Sequence, residues 1–239
     1  MTEKTQTLLL GGADGHLGKK ALRYFHQKGL SVIGLCWNEK SRSELLKTLE
    51  KENFGSIPLL LCADLSQIDQ VERAVSHTLS QFSQIDYLVN VAGGFRWTPS
   101  IDATIEDIEF LMNANFKSNW LLAKHVLPEM IAKNFGRIVY VSAACSMEGA
   151  GAGMGPYAAS KAALNSLVQA ISQEIKNHMI NINVVLPTII DTPNNRITMP
   201  DARYNDWVDP NDLLDTIDFL LSDQSKAIHG SFIKVANRV

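Results

Sequence analysis

The sequence predicts a doubly wound α/β domain, one sheet of about seven parallel strands with helices on both faces. Three observations lead there. Seven short apolar runs rich in β-branched residues recur along the 239 residues, longer stretches with helical periodicity lie between most of them, and no linker interrupts the alternation. Strands apolar along their whole length need cover on both faces, and right-handed crossovers place helices on both sides. The chain, 1–239, is therefore expected to form a single domain.

Taken in order, Thr7–Leu10 is the first strand and runs directly into a glycine-rich turn and a helix over Gly18–Gln27. Leu30–Leu35 and Pro58–Cys62 follow as strands. Ser66–Phe82 reads as a helix, because Ile68, Val71, Ala74, Val75, Thr78 and Leu79 share one face. Tyr87–Val91 is the fourth strand. The longest helix runs from about Thr104 to Lys133, with Thr104 and Asp107 spaced as a capping box. Arg137–Ser142 is the fifth strand, and Tyr157 opens a helix continued by Leu164, Leu167, Val168 and Ile171. Asn181–Leu186 and Ser231–Val235 complete the set. Two loops stand out, a flexible Gly-rich Glu148–Pro156 and a long polar segment at about 188–207, expected to act as a substrate lid. Both follow strands, where the carboxyl edge of a parallel sheet places ligands.

Composition narrows the function classes. Lys and Arg number 22 against 25 Asp and Glu, a net charge of -3, which argues against a nucleic-acid partner. Three cysteines form no disulfide framework and suggest a reducing compartment. The start, MTEKTQ, is polar, and no apolar run approaches a membrane span, so a cytoplasmic protein with no membrane partner is expected. The six histidines (His16, His26, His77, His125, His178 and His229) show no ligand spacing, so no metal site is expected.

The chemistry concentrates at two ends of the pattern. Gly11-Gly12-Ala13-Asp14-Gly15-His16-Leu17-Gly18 joins the first strand to the first helix. Glycines there let backbone approach a pyrophosphate, whose charge meets free N–H groups at the helix start. Tyr157 and Lys161 are four residues apart on a helix, which puts their side chains on one face. A free tyrosine titrates near 10, and an ammonium beside it favours the tyrosinate, so such a pair can exchange a proton with a carbonyl oxygen. Asn115 interrupts an otherwise apolar helix, a position asparagine fills poorly.

Together these pieces resemble the short-chain dehydrogenase/reductase family, whose turn motif is Thr-Gly-x-x-x-Gly-x-Gly. Gly12 and Gly18 match its first and last glycines, Gly11 stands where Thr is usual, and His16 replaces the middle glycine. Asn90-Val91-Ala92-Gly93 is similar to the family's Asn-Asn-Ala-Gly, and Ala63-Asp64-Leu65 to its adenine-binding acid. The resemblance covers essentially the whole chain. It implies a Rossmann-type fold, an NAD(P)(H)-dependent oxidoreductase acting on a small carbonyl or alcohol, and a homodimer or homotetramer joined through its long central helices. It implies Tyr157 as general acid/base with Lys161 and Asn115 as catalytic partners. Cofactor contacts would come from Gly12, Asp14, His16, Leu17, Gly18, Asp64, Leu65, Asn90, Ala92, Gly93, Tyr157, Lys161, Pro187, Ile190 and Thr192.

Two positions depart from the pattern. Cys36 stands where an acid at the end of the second strand would bond a ribose 2′-OH. With Lys40 and Arg42 nearby, this tilts the expectation toward NADP(H) over NAD(H). Ala143 stands where the family carries the serine that bonds the substrate oxygen, with Ser142 and Ser146 as neighbours that could replace it. Quinonoid dihydropteridine reductases also lack that serine. Their Val-Ala-Gly-Gly-Trp stretch is similar to Val89–Phe95, and their Leu-Pro…Leu-Asp-Thr-Pro-x-Asn-Arg to Leu186–Arg196. A pteridine-type reductase is thus an alternative, and His16 with Ala143 leaves a cofactor-binding sensor as another.

Overall fold

The computed structural model describes residues 5–52, 54 and 57–238. Seven strands form one sheet, β1 (Thr7–Gly11), β2 (Ser31–Cys36), β3 (Leu59–Cys62), β4 (Tyr87–Asn90), β5 (Gly136–Val141), β6 (Ile180–Pro187) and β7 (Phe232–Val235). Every pairing is parallel, and the order is β3-β2-β1-β4-β5-β6-β7. All seven predicted strands are present, no end displaced by more than one residue.

Alternation along each strand divides the core in two. Leu9, Ile33, Leu35, Leu88, Ile138, Tyr140, Ile182 and Val184 face one side. That side is covered by α3 (Ile68–Phe82), α5 (Ser118–Lys133) and α7 (Gly155–Glu174). Leu8, Leu10, Val32, Cys36, Val89, Val139 and Val185 face the other, under α1 (His16–Gln27), α2 (Glu39–Lys51) and α9 (Pro210–Leu221). A strand buried on both faces has no polar alternation to display, which is why these runs read as continuously apolar.

The departures from expectation have local causes. The helix expected from Ser66 begins at Ile68, because the Ser66 N–H and hydroxyl both donate to Asp64 Oδ1 (2.9 and 2.7 Å) and hold a turn. Ile68, placed on the buried face by periodicity, is 47% exposed in that first turn. Glu39, three residues past the end of β2, opens α2 behind Asn38, whose side chain caps Ser41 N at 2.9 Å. The long helix keeps its Thr104–Asp107 capping box but divides into α4 (Ile105–Met112), a π-helical turn Asn113–Lys117, and α5. Loop 145–156 starts with a short helix, α6 (Cys145–Glu148), and the 188–207 segment carries another, α8 (Pro193–Thr198). Trp207, 3% exposed, anchors the far end of that segment.

No helix among the described residues is long and apolar enough to cross a membrane. Among them, no group of three or more His, Cys, Asp or Glu side chains could hold a metal ion. The strand order reverses between β1 and β4, so their carboxyl ends border the crevice where such folds bind ligands.

Candidate active site

The glycine-rich turn is shaped by two close approaches. Gly12 has φ +77°, and a Cβ on it would lie 2.7 Å from Ala92 N. A Cβ on Gly18 would lie 1.9 Å from the Gly12 carbonyl oxygen, so α1 can pack against the turn only with glycine there. Gly15 caps α1 without a side-chain bond, and the first turn holds no acid. Its amides are therefore available to an anion. His16 is exposed at this helix start; partial burial, then Lys20 and Lys19, lower its pKa below the usual imidazole value. The lowered pKa favours the neutral imidazole, and the α1 backbone amides form the cradle. Leu17, buried, seats the helix against the core. These features fit the pyrophosphate of a dinucleotide.

Asn90, fully buried at the end of β4, ties the crevice together. Its Oδ1 accepts from Ala92 N (3.1 Å) and its Nδ2 donates to Asn119 Oδ1 (2.9 Å). Asn119 in turn donates to the Asn115 carbonyl (2.9 Å). Asn115 Oδ1 accepts from Gly94 N (3.0 Å), and its Nδ2 donates to Gly94 O and Ser160 Oγ, both at 2.9 Å. The π-helical turn thus presents an amide whose side chain is engaged on every side. Asn119 and Ser160 belong to this network and were not singled out from sequence. The signals were there: Asn119 lies one helical turn beyond Asn115, and Ser160 lies inside the Tyr157–Lys161 motif.

Lys161 is buried on α7, and its Nζ donates to Val141 O at 2.9 Å. A Cβ on Gly93 would lie 3.1 Å from Lys161 Nζ and 2.9 Å from Asn115 Oδ1, so the two side chains meet across that glycine. Burial lowers the Lys161 pKa to about 8. Tyr157 sits one turn earlier, its carbonyl accepting from Ser160 Oγ at 2.7 Å. Burial, with a smaller contribution from Cys145, pushes its phenol above the ordinary tyrosine range. Phe95 meets the Tyr157 ring edge-on at 4.9 Å.

Neither neighbouring hydroxyl occupies the place left by Ala143. Ser142 Oγ reaches the Lys161 carbonyl (3.3 Å) under α7, and Ser146 Oγ donates to the Ala143 carbonyl (2.5 Å) while accepting from Asn165 Nδ2 (2.8 Å). Cys145, next to Ser146 in the chain and half-buried, has its thiol pKa raised by burial.

The remaining expected contacts ring the same edge. Asp64 Oδ1 is held by Ser66, and Leu65 packs into the core beside it. Pro187, buried at the end of β6, accepts from Ala144 N at 2.9 Å. The Ile190 carbonyl accepts from Asn195 Nδ2 (2.8 Å), and Thr192 Oγ1 caps α8 by accepting from Asn195 N (3.2 Å). That leaves the Thr192 hydroxyl proton for donation. Arg196, expected on the lid, forms a two-pronged pair with Asp191 (2.6 Å each) and lies over the Tyr204 ring.

Comparison with known proteins agrees with this geometry. A family model described as short chain dehydrogenase matches residues 6–202. The chain is 28% identical to the 3-oxoacyl-(acyl-carrier-protein) reductase FabG of Thermotoga maritima, covering 95% of this chain and 94% of that protein. It is 31% identical to the oxidoreductase UcpA of Salmonella typhimurium, over 87% of this chain and 77% of the relative. In fold it matches levodione reductase, with a TM-score of 0.87 and 19% identity over 97% of this chain and 96% of the other. A glycine-rich cradle at the switch point, Tyr157 one turn before buried Lys161 beside it and the match over residues 6–202 have one consequence: the chain belongs to the short-chain dehydrogenase/reductase family of nicotinamide-dependent oxidoreductases.

Proposed function

We propose that the protein interconverts a small uncharged carbonyl compound and its alcohol, with Tyr157 as the proton donor and acceptor. The observation that carries this reading is the placing of Tyr157 and buried Lys161 one turn apart on α7, with Lys161 Nζ and Asn115 Oδ1 both close to Gly93 at the carboxyl edge of the sheet. A nicotinamide dinucleotide supplies or takes the hydride when bound. Gly12, Gly18 and the α1 amides would hold its pyrophosphate, and Asn90, Ala92 and Gly93 would border its nicotinamide half.

The chain's own residues handle the proton. Burial keeps the Tyr157 phenol protonated until a substrate oxygen takes the proton. Lys161, charged at pH 7 and held by Val141 O, then stabilises the tyrosinate. The apolar flank favours an uncharged substrate: Phe95, Trp97 and Met147 are exposed, whereas Arg96, Arg196 and Lys234 are paired with Asp107, Asp191 and Glu148. Trp97 Nε1 donates to Ala152 O (2.9 Å), which ties this flank to the Gly-rich loop. The 188–207 segment would close over the substrate, with Trp207 as its fixed end.

Tyr157→Phe should lower kcat with a panel of small ketones and quinones by about 10²- to 10⁴-fold. Unchanged turnover in that variant would remove Tyr157 from the chemistry. One observation favours a second reading, a pteridine-type reductase: no hydroxyl faces the substrate from Ala143, and a conjugated ring that accepts hydride has less need of one. Faster NAD(P)H oxidation with quinonoid dihydropterin than with any ketone would select it.

The exposed apolar residues of α4 and α5 support association as a homodimer or homotetramer, and the three unpaired cysteines support a cytoplasmic setting. Behind the NADP(H) expectation stand Lys40 and Arg42. Arg42 is engaged by Glu39 at 2.5–3.1 Å, and Lys40 alone extends into solvent. The choice between the two coenzymes then turns on what else stands at the end of β2.

A further inference from the structure

The end of β2 receives a carboxylate from another element. Asp14 lies in the turn after β1, and its Oδ2 accepts from Trp37 N at 3.0 Å. Trp37 is the first residue past β2, so this carboxylate stands where an acid at the strand end would act on a ribose. Cys36, the strand's own last residue, cannot do so. It has no exposed surface and packs in the core with Leu45 and Leu60. Burial, then the nearby Asp14 charge, raises its thiol pKa to about 12, so it stays neutral.

Of the other charges near this corner, Glu39 and Arg42 cancel each other and Lys40 extends into solvent. Glu39 is held by Arg42 and accepts from Cys62 Sγ at 3.1 Å. Among the described residues no cation pairs with Asp14. One of its carboxylate's several lone pairs serves Trp37 N, and the others remain to accept from a diol. A ribose 2′-hydroxyl can donate to that carboxylate, whereas a 2′-phosphate brings nearly two negative charges beside an unneutralised one.

We propose that Asp14, reaching across from the glycine-rich turn to the end of β2, selects NAD(H) over NADP(H). This rests on the dinucleotide site proposed above and replaces the expectation drawn from Lys40 and Arg42. The selecting acid was hidden from sequence because it comes from the β1 turn, 22 residues before the position where one is sought.

The test is direct binding of NAD⁺ and NADP⁺ to the whole chain, by calorimetry and by change in melting temperature, with wild type, Asp14→Asn and Lys40→Gln. Asn keeps an oxygen for Trp37 N, so the variant removes charge while leaving the turn in place. Wild type should bind NAD⁺ at least about tenfold more tightly than NADP⁺. Asp14→Asn should shrink that ratio by about tenfold, mainly through tighter NADP⁺ binding, and Lys40→Gln should leave it unchanged. A wild type that prefers NADP⁺, or a ratio that ignores Asp14→Asn, overturns the role of Asp14 while leaving the cofactor site standing. Failure of both nucleotides to bind overturns the site and the inference together.

Discussion

Lys161 carries a charge that the fold partly disfavours, and this makes its titration visible in stability. Its pKa falls from 10.5 to about 8 on burial. Between those values the unfolded chain holds a proton that the folded chain has released, so stability rises with pH across that window. Below about pH 8 both states are protonated and the slope vanishes. A tenfold difference in proton affinity between the two states corresponds to about 1.4 kcal/mol. Urea unfolding of wild type and Lys161→Met from pH 7 to 10 should show wild type gaining roughly 2–3 kcal/mol relative to the variant. Parallel profiles would mean that Lys161 is not desolvated. At this scale Tyr157, Lys161 and Asn115 were legible because each breaks a local rule or keeps a fixed spacing. The engagement of Ser142 and Ser146 was not, because it depends on where α7 and the Ala143 carbonyl lie.

The helix-to-crevice link rests on a π-helical turn that no periodicity announces. Asn113–Lys117 widens the helix by one residue per turn, and Asn115 fills the opening with bonds to Gly94 and Ser160. A sequence shows that asparagine is a poor mid-helix residue. It does not show that the cost is offset by a loop following β4, a contact 21 residues away. The Thr104–Asp107 box was readable because both partners lie within one turn. Asn119 tests the network at this scale, since it bridges Asn90 on the sheet to the Asn115 carbonyl. Asn119→Ala leaves the buried Asn90 side-chain amide unpaired and should cost about 1–3 kcal/mol in unfolding. It should also lower kcat more than it raises KM, because Asn115 borders Lys161 at Gly93. Loss of stability with an intact kcat would confine Asn119 to a structural role.

For the whole molecule, the parallel sheet was legible because its strands are buried on both faces and their apolar runs are continuous. The partition of charge was not, since Asp14 and Asp191 meet their partners only after folding. Folding also leaves part of the apolar surface uncovered. Ile101 is 94% exposed and Ile105 69%, with Ile108 and Phe110 next to them on α4 and Trp120 and Ile131 on α5. A run of large apolar side chains along one helix pair is the surface on which the proposed association is expected. Light scattering should therefore give a mass that is a multiple of 26.4 kDa at micromolar concentration. Ile105→Glu is a sharp probe because Ile105 is the first residue of α4, where an acid favours the helix and the fold is spared. Paired with Ile101→Glu, it should convert the protein to monomer with its circular dichroism unchanged. A wild-type monomer, or an oligomer indifferent to both substitutions, would move the contact away from α4.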